Sequence, residues 1–278
     1  MIVAIDIGNT ETMVGVFEGR EVRDSWRIAT ERHRTGDEIA LTLRGLLADL
    51  GDGGWPAERG VIASVVPPLD RAWGEAFARL DIPLLRVDAR SPLPVRLDVD
   101  EPASVGADRI VNTLAVSVLH GRNAVVVDLG TATTFDCITA DGAFLGGVIA
   151  PGPRAGVDRL TERSSKLPSI DLRPPERVIG RSTVPALESG VFWSIVDAID
   201  GIVRRILEEW RPEDPLVLAT GGLAPLVAPH CAMVAGVDPF LTLRGLVCAD
   251  ELLAGGGPAK GAGGPEDAER AGKGAGRR

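Results

Sequence analysis

The chain carries one short unit twice. Residues 3–17 read VAIDIGNTETMVGVF and residues 125–138 read VVVDLGTATTFDCI. Each copy is an apolar run, an aspartate, one apolar residue, a glycine, a polar stretch ending in threonine, and a second apolar run. Laying Asp6 on Asp128 also lays Gly8 on Gly130. Apolar runs flanking a Gly-containing polar turn read as strand–turn–strand. Two copies of such a unit imply two similar half-domains. Short apolar runs alternate with helical spacings around them, the pattern of an α/β protein. Ile39, Leu43, Leu46, Leu47 and Leu50 recur at helical spacing, as do Leu69, Trp73, Phe77 and Leu80 after Pro67-Pro68. A third helix is predicted over about Leu187 to Trp210, with Val191, Ile195, Ile199, Ile202, Val203 and Ile206 on one stripe. Phe192, Trp193 and Ala198 widen its apolar surface, so it should be covered on more than one side, in the centre of the molecule or at a subunit interface. His120 and Gly121 follow another helical run, which puts the expected division at residues 1–120 and 121–254.

Composition narrows the function classes. The 278 residues suffice for one large or two modest domains. A net charge of -9 argues against a nucleic-acid partner, because phosphate contacts need a basic face. Cys137, Cys231 and Cys248 are too few and too scattered for a disulfide framework or a Cys-rich zinc site, and suit a reduced cytoplasmic protein. The N-terminus runs into Ile2–Ile5 and then Asp6, which is neither a signal peptide nor a membrane span. Residues 255–278 are Gly, Pro, Ala and charge without apolar period, and read as a disordered tail.

Three places can do chemistry. In each Asp-x-Gly hairpin the glycine permits a tight backbone approach, the hydroxyls and amide N–H groups can meet phosphate oxygens, and the aspartate can hold a hydrated cation. Two such turns facing each other would grip a nucleotide from both sides; the alternative is a pair of hairpins using Asp and Gly only as turn residues. The run GADR, Gly106, Ala107, Asp108 and Arg109, opens a helical pattern. Asp108 in a first turn is favoured as a carboxylate by the helix dipole, and Arg109 can clamp a carboxylate or phosphate. The alternative is a capping acid beside a solvent-facing Arg. The third place is Thr220-Gly221-Gly222, after the strand-like Leu216 to Leu218, where two glycines let backbone lie flat against a ligand. There is no GxxxxGK[ST] loop, GDGGWP at 51–56 fails the GxGxxG pattern, and His33, His120 and His230 are dispersed.

DIGNT at 6–10, GADR at 106–109, VDLGTAT at 127–133, GGVIAPG at 146–152, KLP at 166–168, IGRST at 179–183, ESG at 188–190 and TGG at 220–222 occur in the order seen in type III pantothenate kinases. The chain resembles that family over about residues 1–250. The resemblance implies an α/β fold of two duplicated actin-like, ribonuclease H-like half-domains with a nucleotide cleft between them. It implies transfer of phosphate from ATP to pantothenate, giving 4′-phosphopantothenate on the way to coenzyme A, in a cytoplasmic homodimer. Carried over by position, Asp6, Ile7, Gly8, Asn9, Thr10, Glu11, Thr12 and Met13 resemble the ATP phosphate loop, with Asp6 near Mg²⁺, and Thr131 resembles a further ATP contact. Gly106, Ala107, Asp108 and Arg109 resemble the pantothenate site, with Asp108 as general base. Asp128 resembles the ligand of a monovalent cation, K⁺ or NH₄⁺, and Thr183 a residue closing the pantothenate pocket from the partner subunit. Val99 stands where the family usually has tyrosine, and Ser182 where it has asparagine. The competing expectations are another small-molecule kinase or phosphatase of the same superfamily, a non-catalytic regulator, or a filament or chaperone subunit.

Overall fold

A computed structural model describes residues 1–50, 57–155, 168 and 170–254. The GDGGWP stretch, Lys166 and Leu167 of KLP, and the tail 255–278 lie outside the described residues.

The first half builds a five-stranded sheet. Its strands are β1 (Ile2–Ile7), β2 (Glu11–Glu18), β3 (Glu21–Ala29), β4 (Arg59–Ser64) and β5 (Leu84–Val87), in the order β3-β2-β1-β4-β5. The second sheet contains β7 (Ala124–Leu129), β8 (Ala132–Ile138), β9 (Ala143–Pro151), β10 (Leu216–Thr220) and β11 (Gly236–Val237). Its order is β11-β10-β7-β8-β9, with the short β6 (Arg96–Leu97) added parallel to β9. In each sheet the hairpin-opening strand pairs antiparallel with the next strand and parallel with a later one. The repeat in the sequence is therefore a repeat in topology: two actin-like halves of one mixed α/β design.

Six α-helices lie wholly within the described residues, one of them a single turn. They are α1 (Gly36–Leu47), α2 (Pro67–Arg79), α3 (Ala107–Leu119), α4 (Thr183–Trp210), α5 (Ala224–Val227) and α6 (Leu241–Ala254). α1 begins at a capping box, with the Thr35 hydroxyl accepting from the Glu38 N–H and the Glu38 carboxylate accepting from the Thr35 N–H. α2 starts on Pro67, where a missing N–H costs nothing. α4 starts a turn earlier than its apolar stripe, at Thr183 after the Ser182 cap, because Pro185 in the first turn is compatible with a helix. It stops at Arg211, which turns left-handed with φ 51° ahead of Pro212.

Strand alternation sorts the faces. Val3, Ile5 and Ile7 of β1 pack with Ile39 and Leu43 of α1 and Trp73 and Phe77 of α2. Ala4 points the other way, into a cluster with Val111 and Leu114 of α3 and Leu243 and Leu246 of α6. In the second sheet Val125, Val127 and Leu129 pack with Phe192, Val196 and Val203 of α4. Ala124 and Val126 face Ala115 and Val116 of α3. α3 therefore lies between the two sheets. A residue one step along from Ala4 or Val126 on the same face, which is Asp6 in β1 and Asp128 in β7, points to the side where α3 begins.

Candidate active site

Asp6 and Asp128 occupy matched positions. Asp6 stands opposite Met13 and Ala63, and Asp128 opposite Thr134 and Thr220. Just beyond each aspartate the turn is closed by a backbone bond, from the Gly8 N–H to the Glu11 carbonyl and from the Gly130 N–H to the Ala132 carbonyl, both 3.1 Å. At position 8 a Cβ would come within 2.8 Å of the Glu11 carbonyl oxygen, so the turn needs glycine. The two hairpin tips meet: the Thr131 hydroxyl donates to the Thr10 hydroxyl at 2.9 Å.

The N-terminus of α3 faces both hairpins. Its cap is Gly106, where a Cβ would run into the Asp108 carboxylate. Asp108 Oδ1 accepts from the Arg109 backbone N–H at 2.8 Å, within the first turn. Arg109 does not face solvent: its Nε and Nη2 both reach Asp136 Oδ1, at 2.7 and 2.6 Å, and its guanidinium lies 4.7 Å from the centre of the Phe144 ring. Asp136, in β8 opposite Val126, is fully buried. An unpaired carboxylate there would be very costly, and its Oδ2 has no partner among the described residues.

Four carboxyl groups crowd one volume and perturb each other. Burial holds Asp6 well above the usual carboxylate range, the charges of Asp108 and Asp128 push it further, and Arg27 opposes them. Asp128 is pushed up to about 7 by burial first and then by Asp108 and Asp136, again opposed by Arg27. Asp136 rises to about 6 through burial, opposed by Arg109. Burial also raises Asp108, outweighing the bonds from the helix start, so the net direction is opposite to the helix-dipole expectation. Mutually repelling, partly desolvated carboxylates of this kind call for a cation. The described residues contain no group of three or more side chains forming a ready metal cage. This donor set suits ions that keep water and take the rest of their ligands from phosphate oxygens.

The Thr220–Gly222 turn closes the Asp128 side. Gly221 has φ +88°, and a Cβ there would collide with Asp128 Oδ1; one at Gly222 would collide with the Arg27 guanidinium. Of the residues singled out in the sequence, the hairpin residues, GADR and Thr131 thus come together. Ile7 and Thr12 are buried in the strands, whereas Asn9, Thr10 and Glu11 are exposed at the tip. Thr183 is exposed at the first position of α4 and takes no part in these contacts among the described residues. Asp136 and Arg27 escape a motif search. The signal for the first is an acid inside the apolar strand ATTFDCI; for the second it is the pairing register, which no single segment displays.

The comparisons with known proteins agree with this geometry. A model of the type III pantothenate kinases matches residues 2–205. The chain belongs to the type III pantothenate kinase family. A type III pantothenate kinase of Acidothermus cellulolyticus is 46% identical over 251 residues, covering 88% of this chain and 96% of the relative. One from Frankia alni is 43% identical over 248 residues, with 88% and 97% covered. Among solved structures, a Baf family transcriptional activator from Campylobacter jejuni superposes with TM-score 0.56 at 18% identity, over 90% of this chain and 97% of that one. An N-acetylglucosamine kinase from Porphyromonas gingivalis gives 0.51 at 13% identity, with 90% and 98% covered. Those two likenesses speak for the fold alone.

Proposed function

We propose that the cleft between the two hairpins binds ATP and that Asp108 activates the acceptor. As a member of its family the chain phosphorylates pantothenate with ATP, giving 4′-phosphopantothenate, the first step of coenzyme A biosynthesis. The observation that carries the reading is the convergence of Asp6, Asp108 and Asp128, from two sheets and one helix start, close enough to shift one another's protonation. Matched Asp-x-Gly turns suit a polyphosphate, with the Asn9–Thr12 tip and Thr131 offering hydroxyl and amide donors. Asp6 would hold Mg²⁺, directly or through water, and Asp128 a monovalent cation, K⁺ or NH₄⁺. These ions would neutralise phosphate charge during transfer.

The attacking group is pantothenate's primary alcohol, a weak acid that needs a proton acceptor within hydrogen-bond reach. Asp108 is suited to that role. Burial lifts its affinity for a proton, and it projects from a rigid helix start. Arg109, fixed by Asp136, would hold the anionic end of the acceptor, with Gly106 and Ala107 as the backbone floor. The half-domain limits, 1–120 and 121–254, belong to this reading, with β6 and α6 as the elements that cross between the halves.

We further propose a homodimer. A groove of about 490 Å³ runs between β8–β9 and α4, lined by Ala186, Gly190, Ser194, Ile195 and Ala198 of α4. Val178 and Ile179 stand exposed near Thr183, at 67% and 82%. A second copy would cover this face and bring its Thr183 to the acceptor pocket. The test of the reaction is purified protein with ATP, Mg²⁺, K⁺ and pantothenate. A product heavier by one phosphoryl group is expected by mass spectrometry; its absence, with ATP bound and intact, would sink the reading.

A further inference from the structure

The sheet duplication offers an internal comparison. In an antiparallel ladder, residues directly opposite each other share a face. In the first sheet the row through Asp6 runs from Ala63 in β4 through Asp6 and Met13 to Arg27 in β3. In the second it runs from Thr220 in β10 through Asp128 and Thr134 to Ile149 in β9. Position for position, Arg27 corresponds to Ile149. Ile149 is 67% exposed and bears no charge. The fold thus places no demand for a cation at the end of this row. Arg27 is an addition peculiar to the half that carries the longer hairpin tip.

Its surroundings say what it is for. The Arg27 side chain keeps about a third of its surface accessible, 36%, and Nη1 donates to Glu11 Oε2 at 2.9 Å, at the end of the first hairpin turn. The guanidinium also lies against Gly222, in the turn after β10 of the other half, where a Cβ would displace it from its present position. One cation therefore bridges the first hairpin and the Gly221–Gly222 turn, over the gap where Asp6 and Asp128 approach. It also offsets both of those carboxylates. A surface ion pair with Glu11 alone would not need the reach across the cleft to Gly222. An Arg presents five donors in a planar fork suited to phosphate oxygens.

We propose that Arg27 is a catalytic residue of the phosphoryl transfer: its guanidinium contacts the phosphate chain of the bound nucleotide between the two hairpins and stabilises the charge that develops as the terminal phosphoryl leaves. Until nucleotide arrives, Glu11 holds the fork in place. This rests on the reading of the cleft as the ATP site. It predicts a residue whose loss damages transfer and nucleotide affinity and spares the acceptor.

The experiment compares wild type with Arg27→Met, Arg27→Lys and Arg23→Met. Arg23 is an exposed arginine on the same strand, paired with Glu18 away from the cleft. Titration calorimetry with ATP and ADP, without acceptor, reads nucleotide affinity; steady-state kinetics read kcat and both KM values; thermal melting reads the fold. For Arg27→Met, kcat should fall on the order of 10²- to 10³-fold, the usual cost of removing one preorganised charge-stabilising donor. Affinity for ATP should weaken about tenfold, an order-of-magnitude figure for one charge-assisted contact. The KM for pantothenate and the melting temperature should stay close to wild type. Arg27→Lys should recover part of kcat, since charge is kept and the fork is lost, and Arg23→Met should match wild type throughout. The proposal is overturned if Arg27→Met retains kcat and nucleotide affinity. It is equally overturned if both KM values and the melting temperature collapse together, which would make Arg27 a strut. Wild type that binds ATP without phosphorylating pantothenate would refute the assigned acceptor instead, and the calorimetric comparison would still judge Arg27.

Discussion

Replacing Asp128 by Asn should stabilise the nucleotide-free protein while disabling it. The Asp128 carboxyl is lifted from 3.8 to about 7, by burial first and by Asp108 and Asp136 next. A gap of about three pH units, at roughly 1.36 kcal/mol each, amounts to ~4 kcal/mol. Asp128 is partly accessible at the cleft, so water screens the penalty, and about 2 kcal/mol is the working figure. The folded chain holds this proton more tightly than the unfolded one. Rising pH therefore removes stability, beginning near 3.8 and complete above about 7. Asn keeps the shape of the neutral acid and cannot ionise. The variant should thus match wild type closely at about pH 3, below the unfolded value, and exceed it by about 2 kcal/mol at about pH 8.5, or roughly 4–8 °C in Tm for a chain of this size. Melting curves of both proteins across that range, without nucleotide and in a buffer free of K⁺ and NH₄⁺, give the difference directly. A gap that does not widen with pH would refute the argument, since it would mean that the charge of Asp128 is well solvated in the empty cleft.

Asp108→Asn should lower kcat on the order of 10²- to 10⁴-fold with ATP affinity retained, the range for a positioned base; calorimetry showing lost ATP binding would assign Asp108 elsewhere. Exchanging K⁺ for Na⁺ should reduce turnover strongly if Asp128 holds a monovalent ion beside the phosphates, and equal initial rates in both salts would remove that role. Ala198→Arg puts a charge into the α4 groove and should shift light scattering from dimer to monomer, with turnover falling more than tenfold because a desolvated unpaired charge costs several kcal/mol; a fully active monomer would contradict the dimer.

The outline of the site was legible in the sequence because its parts are local. Strand, Asp-x-Gly turn and strand form a unit whose steric needs show in a few consecutive residues, and its recurrence at residues 125–138 revealed the duplication. GADR announced a helix start with an acid in its first turn. Other features were beyond such reading. The fate of Arg109, left open between a clamp and a solvent-facing side chain, depended on Asp136, twenty-seven positions away, and on the Phe144 ring. The direction of the Asp108 shift depended on burial, because the local dipole is a first-turn effect, whereas desolvation sums over every element that packs above it.

What the sequence determined by itself was the pair of hairpins, the helices announced by apolar spacing, and the identity of the acids at the strand ends. These follow from short-range sterics and periodicity, which act between neighbours in the chain. Only the tertiary structure decided that α3 lies between the two sheets, that Asp6, Asp108 and Asp128 share one volume, and that Arg27 reaches from β3 to Gly222. Those relations join residues up to about two hundred positions apart. They are set by which faces of sheets and helices must be buried together, and charge interactions in such a volume depend on distance and solvent access.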